Sequence, residues 1–194
     1  MISYIVSAYN DSSRLPICLR SIALQSHRDH EIIVTDNSDS GLASMAIRAE
    51  CNLVDPSIRY MRTEMPSCYH SAEIGVAVAR GDYLCFPSDD SYYMPLFGQI
   101  MSETAETTGA DLVYCNMVYG GRGRKGHYSV MNVEPRVRKI DKTGFILRRD
   151  CFVPFPEKRD DGRATHADGS LIEWLVSSQA VTHAKVSDVL VVHN

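Results

Sequence analysis

Two adjacent carboxylates, Asp89 and Asp90, stand between Ser88 and Ser91, just after a short apolar run, Tyr83-Leu84-Cys85-Phe86, bounded by Gly81 and Pro87. Paired carboxylates beside small polar residues can hold a divalent cation that takes its remaining ligands from water and a substrate's phosphates. The plain alternative is a solvated turn, because Asp and Ser are common turn formers. A third carboxylate, Asp168, lies just ahead of Leu171, Trp174 and Leu175, which recur at helical spacing; taken alone, it reads as the N-cap of that helix. The segment 120–126, Gly-Gly-Arg-Gly-Arg-Lys-Gly, is too glycine-rich for a helix and reads as a hairpin tip. It is either a solvated loop or a contact for an anionic acceptor, phosphate or lipid surface.

The elements that must position these groups follow from periodicity. The run 83–86 is short and closed by breakers, which suits a buried strand and puts the acidic pair at its carboxyl end. In an open α/β sheet that edge is where ligands bind. Residues 2–8 read as a first strand, followed by the polar turn Tyr9-Asn10-Asp11-Ser12-Ser13 with several candidate helix caps, and by a helix carrying Leu15, Cys18, Leu19 and Ile22 that lapses at Gln25. The β-branched stretch 31–36 is a second strand, and the right-handed crossover rule places both strand ends on one edge. The alternation continues with a helix over 42 to about 51 and a strand over 57–61. A helix from 68 to 79 follows, with Ala72, Val76 and Ala79 as its packing face. Another helix opens at Met94-Pro95 and runs to about 107, and a strand covers 111–115. This is an α/β doubly wound pattern. Later elements are a short strand with an exposed basic end over 142–149, the helix after Asp168, and a final strand over 189–192 ahead of His193 and Asn194.

Composition narrows the function classes. With 194 residues, 44% of them hydrophobic, the chain suits one globular domain spanning 1–194. Twenty Lys plus Arg against 24 Asp plus Glu give a net charge of −4, so nucleic acid is not the expected partner. The six cysteines contain no Cys-x-x-Cys pair, and no basic-then-apolar signal segment follows Met1; together these favour a cytoplasmic protein with cysteines as small core residues. No run approaches a membrane span, so any membrane contact is expected to be peripheral. Oligomeric state is not legible.

Four separated pieces resemble, in order, the family 2 glycosyltransferases of the GT-A fold. Val6-Ser7-Ala8-Tyr9-Asn10-Asp11 resembles the family's first strand and Tyr-Asn turn, and Leu19-Arg20-Ser21-Ile22 to Gln25 its Ser-x-x-x-Gln helix. Ile32-Ile33-Val34-Thr35-Asp36-Asn37-Ser38 is similar to its second strand with a nucleotide-binding aspartate, and Ala79-Arg80-Gly81-Asp82-Tyr83 through Ser88-Asp89-Asp90 to the approach to its metal motif, DxD. The resemblance covers 2–97 strongly and the part after Asn116 thinly.

It implies a mainly parallel GT-A (Rossmann-like) sheet flanked by helices, with a nucleotide-sugar-binding half over 1–115 and an acceptor-binding half over 116–194. It further implies an inverting, metal-dependent glycosyltransferase moving a sugar from a nucleoside diphosphate donor, expected to be a UDP-sugar, to a glycan, lipid-linked or small hydroxyl acceptor. Ala8, Tyr9, Asn10 and Asp36 would form the uridine pocket: Tyr9 offers an aromatic face, and Asp36 can accept from an imide N–H. Asp89 would reach the ribose, Asp90 would ligate Mn²⁺ or Mg²⁺, and His193 resembles a late histidine that some relatives add to the metal. Asp168 would be the base, with Asp160 and Asp161 in reserve. Pro87 stands where many relatives carry the first aspartate of the motif, so Asp89 and Asp90 must carry the site; Glu73 and Cys68 replace an asparagine and a basic residue. Two other activities fit the same fold: nucleotidyl transfer, although no glycine-rich phosphate loop follows the first strand, and non-catalytic binding of sugar nucleotides.

Overall fold

The computed structural model describes residues 1–11, 13–64, 67–120, 127–156 and 166–194. In chain order the elements are β1 Ile2–Ala8, α1 Leu15–Ala23, β2 His30–Asp36, α2 Gly41–Val54, β3 Arg59–Arg62, α3 Cys68–Val78, β4 Tyr83–Cys85, β5 Ser91–Tyr93, α4 Phe97–Thr108, β6 Leu112–Gly120, β7 Tyr128–Met131, β8 Phe145–Arg148, α5 Ala167–Ser177 and β9 His183–His193. Short 3₁₀ turns at Lys142–Gly144 and Arg149–Cys151 flank β8.

The described strands form one sheet in the order β3-β2-β1-β4-β8-β6-β9-β5, with β7 pairing β6 off this path. From β3 to β4 all pairings are parallel. β8 then enters antiparallel between β4 and β6, while β6 and β9 run parallel. β1 is buried at every position, as a central strand covered on both faces must be. Its register sets Ala8 opposite Asp36, and a parallel bridge joins Ser7 to Ser88. The carboxyl ends of β1, β2 and the β4 segment therefore meet on one edge.

Helix α3 lies on β1 and β2 and buries Ser71, Ala72 and Gly75; of the expected face, Ala72 and Ala79 are buried and Val76 is partly buried against the core, while Ser71 and Gly75 are additional contacts. At Gly75 the approach is close: an added Cβ would run into Ile5 Cγ2, so only glycine fits. Gln25, where the helical pattern lapses, is fully buried. Its amide donates to Ser21 O and Met94 O, each at 2.8 Å, and accepts from Gly98 N at 2.9 Å, tying the end of α1 to the start of α4.

The later half departs from the sequence expectation in several places. The strand expected over 189–192 is the eleven-residue β9, and the one over 111–115 extends to Gly120. β5 intervenes before α4, which starts at Phe97 after a turn. In α5 the packed face is Leu171, Ile172 and Leu175, whereas Trp174 is 53% exposed. The expected hairpin is flanked by the antiparallel pair β6 and β7, with Gly120 opposite Tyr128; its tip over 121–126 lies outside the described residues. Cys18, Cys51, Cys85 and Cys115 are buried free thiols. Among the described residues no helix is long and apolar enough to cross a membrane.

Candidate active site

At the end of β1 the chain turns through Asn10, whose φ of 57° is left-handed, a conformation asparagine tolerates better than most residues. The Asn10 side chain and Asp39 clasp each other: Asn10 Nδ2 donates to Asp39 Oδ2 at 2.9 Å, and Asp39 N donates to Asn10 Oδ1 at 2.9 Å. Tyr9 donates its hydroxyl to the same Asp39 Oδ2 at 2.6 Å, leaving its ring half exposed. These bonds from Tyr9 and Asn10 hold the Asp39 carboxyl below the usual range. The loops after β1 and β2 are thereby locked together around an aromatic face.

Asp36 has a different place from the one expected. It is fully buried, its Oδ1 accepting from Ser38 N at 2.9 Å and its Oδ2 from the Tyr60 hydroxyl at 2.6 Å. Burial opposes its charge, but the hydrogen bonds from Ser38 and Tyr60 help to outweigh burial and keep the carboxyl below its ordinary value. Both oxygens are committed inside the fold, so the acid that faces outward at this strand end is Asp39. Asp36 acts one layer back: it fixes the Ser38 turn, and Ser38 Oγ receives the Asn10 N–H at 2.8 Å.

The acidic pair sits where the β4 segment leaves the sheet. Ser7 N donates to Pro87 O at 3.1 Å, and Ser91 N to Ser88 O at 3.0 Å, which closes the turn on Asp89 and Asp90. Burial, with the neighbouring Asp90 charge adding to it, pushes Asp89 up to about 6, while Lys142 pulls the other way. β5 runs antiparallel to β9 with Ser91 opposite His193, and this pairing places Asp90 Oδ1 3.4 Å from His193 Nδ1. Asp90 Oδ1 is buried and accepts no hydrogen bond among the described residues. A buried carboxylate oxygen without a donor, facing an imidazole nitrogen, is a donor set a divalent cation suits. No group of three or more His, Cys, Asp or Glu side chains poised for a metal occurs among the described residues, so phosphate and water would complete the shell.

Asp168 is 6% exposed and sits within the first turn of α5; the preceding residue but one, His166, takes the N-cap position. Its carboxylate is thus not a cap. Oδ2 accepts the Lys142 backbone N–H at 2.8 Å, and Oδ1 the Tyr69 hydroxyl at 3.3 Å. Burial, then the charge of Asp141, raise Asp168 above the ordinary carboxylate value, against opposing effects of the Gly169 and Lys142 N–H groups and the Lys142 charge. Asp141 also stands 3.9 Å from His193 Nε2, so one turn reaches both the His193 and the Asp168 sides. The reserve candidates Asp160 and Asp161 lie outside the described residues.

A cleft of about 650 Å³ opens between these groups, lined by Ala8, Tyr9, Asp39, Arg62, Asp89, Asp90 and Lys142 among others. Ala8, Tyr9, Asp89 and Asp90 come from the sequence expectation; Asn10, Asp36, His193 and Asp168 stand outside its immediate lining. Sequence reasoning missed Asp39, Arg62, Tyr69, Asp141 and Lys142. None carried a local signal: even Lys142 reads only as the cation that opens the run to Leu147.

Residues 3–158 match the family model described as Glycosyl transferase family 2. The chain is 30% identical over 115 residues to the putative glycosyltransferase EpsH of Bacillus subtilis, covering 59% of this chain and 33% of that protein. It is 27% identical over 95 residues to an uncharacterized glycosyltransferase of Haemophilus influenzae, covering 49% of this chain and 31% of that one. The chain thus spans about a third of the length of these curated relatives. Among solved structures, S. aureus TarS superposes with a TM-score of 0.74 at 18% identity, over 100% of this chain and 36% of TarS. TarS 1-349 in complex with UDP-GlcNAc gives 0.72 at 18% identity, over 98% and 57%. The mannosyltransferase PcManGT from Pyrobaculum calidifontis, in complex with GDP-Man and Mn²⁺, gives 0.74 at 17% identity, over 99% and 56%. At such identities the likeness concerns the fold, and it is the expected GT-A architecture.

Proposed function

The chain belongs to glycosyl transferase family 2, and from that premise we propose that it transfers a glycosyl group, with inversion and with a divalent cation, from a UDP-sugar to a hydroxyl acceptor. The observation that carries this reading is the gathering of Asp89, Asp90, His193, Asp141 and Asp168 around one end of the sheet beside the Tyr9 face. Solved structures of similar fold hold UDP-GlcNAc in one case and GDP-Man with Mn²⁺ in another, which supports a nucleoside diphosphate sugar as donor.

In this reading the base stacks on Tyr9 beside Ala8, with Asp39, held by Asn10, as the acceptor for a base N–H; Asp36 supports that wall from behind. Asp89 accepts from the ribose. Asp90 and His193 would hold Mn²⁺ or Mg²⁺, whose charge compensates the departing diphosphate. Asp168 takes the proton of the acceptor hydroxyl on the face of the sugar opposite the leaving group. The acceptor oxygen then bonds to the anomeric carbon, and the bond from that carbon to the phosphate oxygen breaks. Burial suits Asp168 to proton abstraction, since a carboxylate with a raised pKa is a stronger base, and the Lys142 N–H and Tyr69 hydroxyl fix its orientation. The acceptor is a glycan, lipid-linked or small hydroxyl compound.

The test is release of nucleoside diphosphate from UDP-sugars with an acceptor panel, compared with Asp168→Asn. The variant should bind donor as the wild type does and lose transfer by roughly a hundredfold or more. Full transfer by Asp168→Asn would remove it as the base, and pyrophosphate release would mean nucleotidyl transfer.

A further inference from the structure

Lys142 is 6% exposed, yet it lines the cleft. The Ser7 hydroxyl donates to Cys68 O at 3.2 Å, which leaves its lone pairs to accept Lys142 Nζ at 3.4 Å. Among the described residues that is the sole hydrogen bond of the ammonium, and no carboxylate comes within ion-pair distance of it. A lysine ammonium carries three donors. A buried charge with two of them unused is costly unless an anion arrives to meet it. Asp89 and Asp90 do not fill that role, since on the reading above ribose and metal engage them.

The position is also informative. The backbone N–H of Lys142 holds Asp168 at 2.8 Å, while its side chain reaches the cleft beside Ser7 and Asp89. Lys142 thus touches the base with its main chain and, with its ammonium, reaches the cleft that the acid pair lines. Resting on the transferase reading, the geometry points to Lys142 as a donor-binding residue that pairs with an anionic oxygen next to the bond that breaks. That oxygen belongs either to the sugar-side phosphate or to a carboxylate on the transferred sugar. A neutral side chain in this place would leave the anion facing Asp39, Asp89 and Asp90, with Arg62 as the other cation lining the cleft.

The experiment is calorimetric titration of the full chain and of Lys142→Met in MnCl₂. The ligands are UDP and GDP, UDP-glucose, UDP-glucuronic acid, and the free nucleoside as a phosphate-free control. Methionine keeps the aliphatic stem, and the contact to Asp168 is made by the main chain, so it survives. A loss of tenfold or more for the nucleoside diphosphate, with the nucleoside unchanged, supports the inference and identifies phosphate as the anion. An unchanged diphosphate with a tenfold or greater loss for UDP-glucuronic acid relative to UDP-glucose supports it and identifies a sugar carboxylate. Lys142→Arg should recover part of either loss. Unchanged affinities throughout overturn the inference alone. An equal loss for nucleoside and nucleotides, repeated in Lys142→Gln, also overturns it, because Lys142 then shapes the cleft and pairs with nothing. If the wild type binds no nucleotide, the transferase reading itself fails and this inference goes with it.

Discussion

Asp89 carries a charge that the fold disfavours. Its ordinary value of 3.8 rises to about 6 because the group is buried beside Asp90. Between those values the folded chain holds a proton that the unfolded chain has lost, so stability falls as pH rises through the interval. The penalty is full above about 6 and gone below about 4. It amounts to ~3 kcal/mol, and replacing the carboxylate removes it. Asp89→Asn without metal or nucleotide is therefore expected to be more stable than the wild type at pH 8, with a gap that shrinks as pH falls to 5; denaturant titrations at both pH values read it. A gap independent of pH would contradict this linkage. The residues that make the site were unequally legible. Asp89, Asp90 and Asp168 stood out because carboxylates next to apolar runs are informative by type and place. Lys142 and Asp141 did not, since nothing local tells a buried cleft lysine from the first residue of a surface strand. Asp36 was legible as a group at a strand end, but its direction depends on Tyr60 and the Ser38 turn, which only the folded chain brings together.

Among the elements, β1, β2 and β4 announce themselves because strands buried on both faces read as near-continuous apolar runs. β5 does not: Ser91–Tyr93 is three residues long, and its partner β9 lies about a hundred positions away. Its stability comes from a long-range ladder that no local window contains, and the same ladder turns the late His193 into a neighbour of Asp90. The other position-defining contact is the glycine seat of α3. Gly75→Ala would push a methyl into Ile5 Cγ2, with Thr35 Cγ2 3.1 Å away, and is expected to destabilise the chain by about 1–3 kcal/mol. Because Ser67 and Cys68 at the start of α3 line the cleft, nucleotide affinity should fall together with stability. Denaturation and UDP titration of the one variant read both, and an unchanged midpoint would refute the close-packed seat.

For the molecule as a whole, the sheet divides by what it holds. The parallel side presents Tyr9, Asp39 and the acid pair; the mixed side, through β8, β9 and the turn before β8, supplies Lys142, Asp141 and His193. The cleft lies where the two meet, as expected for ligand sites at the carboxyl edge of an open α/β sheet. The parallel side was readable from repeated strand and helix periods, whereas the mixed side depends on β8 inserting between β4 and β6 against the chain order. In the function proposed above, this junction binds a nucleoside diphosphate through a cation held at Asp90 and His193. The deciding measurement is calorimetric titration of UDP and GDP into the chain, with MnCl₂ and then with EDTA, repeated on Asp90→Ala. Saturable binding of UDP in Mn²⁺ is expected, weakening at least tenfold both in EDTA and in the variant. Binding of equal strength with and without the metal, or in the absence of the Asp90 carboxylate, would contradict a metal-bridged donor at this junction.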